Sequence, residues 1–220
     1  MTTSELEPHR LSSTSPNPVK RVSARPLVPL LLFVSIMSFV LGVDMLIKYW
    51  SFENVAGSAV QLQAGARNVP QQIPYHDAKQ VIPSILSLRL TLNTGAIFGI
   101  GKGAQWFFVG VSVIATAFIC FLFWRSAVKA YWVHICYAMI LGGALGNMYD
   151  RVVYYAVRDM FWLFPGVHLP FGLNWPGGNT DLYPWLFNVA DAALIVGVLT
   201  LMLLVQWDDR QQRKSAKTVD

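Results

Sequence analysis

The sequence is poor in charged residues and in cysteine. Charged side chains make up only 13% of the 220 residues, whereas 54% are hydrophobic, which is unlike the roughly 25% charge of an ordinary soluble domain. The two cysteines, Cys120 and Cys136, both fall in apolar runs. We interpret them as packing residues, because two such positions offer neither a disulfide framework nor a CxxC metal site.

Several catalytic signatures are also missing. The four histidines show no HExxH spacing, and there is no GxSxG nucleophile motif, so the sequence predicts neither a zinc peptidase nor a serine hydrolase. No metal and no cofactor is expected. The formal net charge of +5 comes without the basic, aromatic-interleaved surface that nucleic-acid binding uses, so nucleic acid is not an expected partner.

What the sequence has in abundance is long apolar runs. A helix needs about 20 apolar residues to cross the hydrocarbon layer of a bilayer, and four runs are long enough. The predicted transmembrane helices cover about residues 26–48, 103–124, 130–150 and 184–207. Arg125 and Lys129 lie between the second and third helices. The other basic clusters lie in the two tails, before the first helix and after the fourth. The positive-inside rule therefore predicts that both termini are cytoplasmic.

The remaining segments follow from this topology. Residues 1–25 are rich in Ser, Thr and Pro and are predicted to be a disordered cytoplasmic tail, and residues 208–220 form a second cytoplasmic tail. The first outer segment, about 51–102, contains ILSLRLTL, whose alternation predicts a half-buried strand. A small extracytoplasmic β-sheet is therefore expected, with residues 60–63 as a further candidate strand.

The second outer segment, about residues 155–184, is rich in Pro, Gly and aromatic residues. It predicts a loop in the membrane interface, where Trp and Tyr are favoured. Its aromatic part, 161–185, suits either an anchor or a lid over a substrate. The predicted fold class is an all-α membrane protein with four transmembrane helices, a small outer sheet and this interfacial loop.

Four aspartates share the outer level of the predicted bundle: Asp44, Asp150, Asp159 and Asp191. Ionisable groups at membrane depth are costly, so each is a candidate functional residue. The structural alternative is a set of ion pairs and caps. Asp44 would pair with Lys48 at helical i, i+4 spacing, and Asp150, together with Arg151, would have partners in other loops. Two close carboxylates that share one proton can also hydrolyse a peptide, because the ionised one activates water and the neutral one protonates the carbonyl oxygen.

Two other classes of protein would use such acids differently. A proton-coupled transporter places acids in a membrane bundle, but it usually has more helices, internal repeats and acids near the midplane. A noncatalytic scaffold would keep the aspartates only as ion pairs. Cleavage of a lipid-modified precursor peptide distinguishes the peptidase from both.

Several motifs together resemble the lipoprotein signal peptidases, also called signal peptidase II. The matching stretches are DMLIKYW (44–50), NTGAIFG (93–99), GGALGNMYDR (142–151), VRDMF (157–161) and FNVADA (187–192). The resemblance implies an aspartic endopeptidase of the bacterial inner membrane with its site near the extracytoplasmic face. Its substrates would be prolipoproteins, cut just before a cysteine that carries diacylglycerol, and its other partner would be membrane lipid. We expect a monomer.

The same resemblance implies roles for individual residues. The catalytic pair falls on Asp159 and Asp191. The positions that match residues binding the substrate or shaping the site are Asp44, Lys48, Asn93, Gly95, Asn147, Asp150, Arg151, Asn188 and Ala190. Asn147 and Asn188 can donate amide hydrogen bonds that orient the carboxylates. Gly142, Gly143 and Gly146 would allow close approach, either of a neighbouring helix or of substrate.

Overall fold

The computed structural model describes residues 27–65, 72–95 and 104–217. The predicted tail at residues 1–25, the second half of the NTGAIFG motif and the last three residues lie outside these ranges. The described chain forms four long helices and a four-stranded antiparallel sheet.

The four helices are α1 (Leu27–Asn54), α2 (Gln105–Arg125), α3 (Tyr131–Tyr154) and α4 (Val189–Lys217). By length and composition, three of them can cross a membrane: α1, α2 and the Val189–Ser215 part of α4. The sequence predicted four spans, and α3 is the one that is not supported on these criteria. At about 1.5 Å per residue α3 is about 36 Å long, but His134, Asn147 and several glycines make it less apolar.

α3 is the centre of the bundle and packs against α1, α2 and α4. Its glycines permit these contacts. A Cβ atom on Gly142 would lie 2.8 Å from the carbonyl oxygen of Met37 on α1, and one on Gly143 would collide with the carbonyl oxygen of Ala190 on α4. Helix packing is therefore one role of Gly142 and Gly143, and a contact of these glycines with substrate stays a prediction.

The sheet has the strand order β1 (Lys79–Ile82), β2 (Leu86–Asn93), β3 (Val157–Leu163), β4 (Leu186–Phe187). The predicted strand at ILSLRLTL is confirmed as β2, with Leu88, Leu90 and Leu92 buried and Arg89 exposed. These leucines pack with Phe52 and Met160. The further strand expected at residues 60–63 is wrong, because Val60 instead donates its N–H to the carbonyl of Phe52 and folds back onto α1.

The outer segment after α3 is more ordered than the predicted loop. Tyr155 ends α3 in the left-handed conformation, with φ of 59°, and so turns the chain directly into β3. After β3, residues 164–185, here called the insert, form a hairpin. Leu169 donates its N–H to Thr180 and Leu182 donates its N–H to Val167 across this hairpin. The sequence predicted a loop over about residues 155–184. Residues 157–163 are instead strand β3, whereas the insert itself is loop, with one antiparallel bridge between His168 and Asp181.

Candidate active site

A buried group of four charged side chains lies beneath the sheet. Lys48 is fully buried on α1, and its ammonium lies 2.7 Å from Asp44 and 2.9 Å from Asp150. The predicted i, i+4 pair of Asp44 and Lys48 is thus confirmed. Arg158 on β3 completes the group. Two cations and two anions balance, which is what burial of charge requires.

Asp150 is bonded to Arg158 rather than to its sequence neighbour Arg151. The Arg158 guanidinium donates from Nε at 3.0 Å and from Nη2 at 2.8 Å, and the Arg158 backbone N–H donates at 3.0 Å. The structural alternative considered for Asp150, a partner in another segment of the chain, is therefore present, and that partner is Arg158. Adjacent residues on a helix point in different directions, whereas β3 returns across the end of α3 and brings Arg158 to the carboxylate.

Asn188 and Asp191 together cap the N-terminus of α4. The Asn188 side-chain oxygen accepts the N–H of Asp191 at 2.9 Å, and Asp191 accepts the N–H of Asn188 at 3.2 Å. This reciprocal pair is a capping box. Asp44 also accepts the N–H of Ala190, at 2.9 Å. The first turn of α4 is thereby tied to α1 and fixed in place.

The same asparagine connects Asp191 to Asp159. The Asn188 amide donates to Asp159 at 2.7 Å, while its backbone N–H donates to Asp191. Asn147 on α3 adds a second donor to Asp191, at 2.8 Å, and its own side-chain oxygen accepts from Asn188 at 3.1 Å and from Lys48 at 3.3 Å. Both amide donors expected from the sequence are therefore present.

Asn93, Gly95 and Arg151 form the β2 side of the site. Asn93 donates its amide to the second oxygen of Asp159 at 3.2 Å, and its side-chain oxygen accepts the N–H of Gly95 at 3.0 Å. Arg151 donates to the carbonyl of Gly95 at 3.1 Å. Arg151 thus supports the chain that follows β2 rather than the carboxylate of Asp150.

Asp159 lies on β3, where it is 1% exposed. Burial, followed by the negative charge of Asp191, raises the pKa of Asp159 to about 8, although the amides of Asn93 and Asn188 oppose the shift. Asp191 is only half-buried, and it lies in the first turn of a helix, where the dipole favours an anion. The two carboxylates therefore have different environments, because Asp159 is fully buried and Asp191 is not.

Metal binding is not supported by the side chains in the parts of the chain that the structure describes. Within residues 27–65, 72–95 and 104–217, no three His, Cys, Asp or Glu side chains converge as ligands. The four aspartates instead receive bonds from amides, guanidinium, ammonium and backbone N–H groups, which are donors that a bound cation would have to displace.

All eleven residues that the sequence marked as site residues lie in this connected group. Sequence reasoning missed Arg158, because no spacing rule links it to Asp150. It also missed the capping role of Asn188, although the N-x-x-D pattern just before an apolar helix is a recognisable N-terminal signal.

A family model described as signal peptidase (SPase) II matches residues 36–207. The chain belongs to the signal peptidase II family. This membership makes it a peptidase, and hence a hydrolase. A lipoprotein signal peptidase of Desulfitobacterium hafniense is 31% identical over 166 residues, which cover 76% of this chain and 93% of the relative. One from Latilactobacillus sakei is 32% identical over 176 residues, covering 80% and 94%.

Two solved structures share the fold of this signal peptidase II family member. Both are described as a bacterial membrane enzyme determined by the in meso method, and both are 24% identical to it. The first has a TM-score of 0.58 and covers 80% of this chain and 88% of the other. The second has a TM-score of 0.55, with coverage of 79% and 91%. This likeness shows the fold. The three helices that are long and apolar enough to cross a membrane, together with the family, indicate an integral membrane protein.

Proposed function

We propose that this chain is an aspartic endopeptidase that removes signal peptides from diacylglyceryl-modified prolipoproteins and cuts just before the lipid-modified cysteine. The family and the names of the relatives supply the substrate class. Asp159 and Asp191 are the proposed catalytic pair. The observation that carries the proposal is Asn188, which donates its amide to Asp159 and its backbone N–H to Asp191 and so fixes two carboxylates on either side of one residue.

The environments of the two aspartates support different roles. The raised pKa of Asp159 keeps this carboxyl neutral at pH 7, which suits a general acid. Asp191 accepts N–H groups from Asn147 and Asn188 at a helix N-terminus and is less buried than Asp159, so an attacking water molecule can reach it. Asp191 is therefore the proposed base.

The proposed reaction needs only water and these two groups. Asp191 takes a proton from water as the water oxygen attacks the scissile carbonyl carbon. Asp159 gives its proton to the carbonyl oxygen, which yields a neutral tetrahedral diol. Asp191 then passes its proton to the leaving nitrogen while Asp159 takes one proton back from the diol, and the C–N bond breaks. No covalent intermediate forms, and no metal or cofactor is required.

The other site residues position this pair. Asp44 and Ala190 fix the first turn of α4, Lys48 bonds Asn147, and Asp150 holds β3 through Arg158. The contacts of Arg151 and Asn93 with Gly95 place the β2 end beside Asp159. Asn93 donates a hydrogen bond directly to one of the two carboxylates. The other residues act on the carboxylates through at least one hydrogen-bonded neighbour.

The proposed setting is the bacterial inner membrane, with the site near the extracytoplasmic face and both termini cytoplasmic. α3 serves as the fourth span in this proposal, because its polar residues point to the other helices and to the site rather than to lipid. The tails at 1–25 and 208–220 would lie in the cytoplasm, although helix α4 continues to Lys217. The partners are the prolipoprotein and membrane lipid, and the enzyme acts as a monomer without nucleic acid.

The test is single-turnover cleavage of a diacylglyceryl-cysteine precursor peptide by the purified full-length chain. Asp159→Asn and Asp191→Asn should each abolish cleavage in folded protein that still binds the precursor. Asp208→Asn, an exposed aspartate near the other end of α4, is the matched control and should cleave at the wild-type rate.

Other outcomes would point elsewhere. If the wild-type chain leaves the precursor intact, the peptidase proposal fails, and transport or scaffolding would become the better reading of these acids. If the chain cleaves but Asp191→Asn retains substantial activity, the peptidase class stands and the aspartic mechanism is wrong.

A further inference from the structure

A continuous row of aromatic rings leads from the carboxylates into the insert. Phe161 on β3 is the ladder partner of Phe187 on β4, and their ring centroids lie 5.5 Å apart. Tyr183 packs edge-on against Phe187 at 6.2 Å and against Trp185 at 5.5 Å. Trp175 then packs against Trp185 at 4.6 Å. These five residues are here called the aromatic row.

The row begins beside the proposed catalytic pair. Phe161 follows Asp159 by two residues on the same strand, so the two side chains share one face of the sheet. Phe187 immediately precedes Asn188, which bonds both aspartates. Tyr183 contacts Phe187 and therefore lies at the edge of the site.

The insert holds Tyr183 in a defined place. Leu182, the preceding residue, donates its N–H to Val167 at 2.7 Å. The Trp175 indole donates to the carbonyl of Asp181 at 2.9 Å. Pro184 follows Tyr183 and restricts the backbone on its other side. Tyr183 is thus supported on both sides by ordered chain.

Tyr183 is half-buried, and its hydroxyl makes no hydrogen bond to any residue among those the structure describes. A phenol has one proton to donate. Burial, and then the charges of Asp191 and Asp159, raise the pKa of Tyr183, so the group stays protonated while the pair beside it works. A half-buried tyrosine at the edge of the site, whose hydroxyl has no partner among the described residues, can donate to a group that arrives with the substrate.

We propose that the Tyr183 hydroxyl donates a hydrogen bond to the substrate backbone next to the scissile bond and holds that bond against Asp191. Tyr183 is then a substrate-contacting residue that the insert contributes to the active site. The inference rests on the proposed peptidase function, because it requires a peptide to be bound at the two aspartates.

The test uses Tyr183→Phe in the full-length protein, because this change removes the hydroxyl and keeps the ring in the aromatic row. A lost hydrogen bond of ordinary strength should lower the single-turnover rate at saturating precursor about tenfold. The melting temperature should not change, since the hydroxyl has no partner among the described residues. Tyr131→Phe, at the opposite end of the bundle on α3, is the matched control and should match the wild type in both measurements.

Three results would overturn the inference. A Tyr183→Phe rate within twofold of wild type would mean that only the ring matters. A fall in melting temperature that accounts for the lost rate would make Tyr183 structural. If the wild type itself does not cleave, the proposed function and this inference fail together. The first of these results, obtained with a wild type that cleaves and an Asp191→Asn variant that does not, would refute the inference and leave the proposed function intact.

Discussion

Asp150→Asn is the substitution that best distinguishes a structural role of Asp150 in the site from a catalytic one. Asp150 is fully buried and accepts bonds from Lys48 and from both the guanidinium and the backbone of Arg158. Asparagine has nearly the same shape, so the change removes one negative charge from a group of two cations and two anions. Lys48 and Arg158 are left with only Asp44 to balance them.

The structure sets the expected size of this effect. Removing one partner of a buried ion pair typically costs about 3–5 kcal/mol, because the other charge remains buried without compensation. Asp150 serves two cations, so the cost should fall toward the upper part of that range. That is a large fraction of the stability of a typical domain, and a marked loss of yield and melting temperature should follow.

A compensating substitution sharpens the test. Lys48→Met in the Asp150→Asn background removes one positive charge and leaves Asp44 with Arg158, so the buried group is again neutral. The double variant should therefore be less destabilised than the sum of its two single variants, which is the signature of direct coupling. Thermal melts in detergent of the wild type, the two single variants and the double variant measure this coupling.

Cleavage by the same samples decides the role of Asp150. Below its melting temperature, folded Asp150→Asn should retain measurable single-turnover cleavage, whereas Asp159→Asn should show none. An Asp150→Asn protein that melts like the wild type and is inactive would refute the reasoning, and it would make Asp150 a candidate partner of Asp191.

Four further predictions follow from the site and the bundle. The cleavage rate should fall as pH rises through about 8, because the pKa of Asp159, the proposed acid, is raised to about 8 and this carboxyl loses its proton there. The unfolding free energy should also decrease from about pH 4 to pH 8, because the unfolded chain ionises this carboxyl above about pH 4 while the folded chain keeps it neutral up to about pH 8. A pH-independent rate up to pH 10 would contradict this assignment. Gly146→Ala should lower the unfolding free energy by about 1–3 kcal/mol, because the new Cβ would lie 2.6 Å from the fixed carboxylate of Asp44. The control Gly110→Ala, with open space around the new Cβ, should be neutral or slightly stabilising in the same thermal melt. Activity should survive EDTA, and loss of cleavage that zinc restores would exclude the proposed mechanism. An introduced cysteine near Arg213 should be protected from an impermeant reagent in intact cells while one near Asn179 reacts, and the reverse pattern would invert the topology.

The fold was predictable where one periodicity dominates. The apolar runs gave α1, α2 and α4, and the leucine alternation gave β2, because burial alone decides those elements. β3 was not predicted, since its residues Val157–Leu163 pair with β2 across more than sixty intervening positions. Local propensity carries no signal for such a long-range pairing.

The candidate site was predictable as a set of residues but not as a set of bonds. Motif resemblance gave the aspartates and asparagines, and helical spacing gave the Asp44–Lys48 pair. The Asp150–Arg158 bonds depend on Tyr155, whose left-handed conformation turns β3 back across the end of α3. The position of Tyr183 depends on the hairpin of the insert. The Pro and Gly content of this segment predicted a loop and did not indicate that pairing.

The capping box at α4 also decides how substitutions of Asp191 must be read. Alanine at this position would remove both the carboxylate and the acceptor for the Asn188 N–H, so a lost activity could reflect a frayed helix. Losing a cap interaction costs about 0.5–2 kcal/mol. Asparagine keeps a side-chain oxygen that can accept the same N–H, and the Asn188 oxygen still accepts the N–H of residue 191. Asp191→Asn should therefore melt within a few degrees of the wild type, and its complete loss of cleavage would report on proton transfer rather than on the helix.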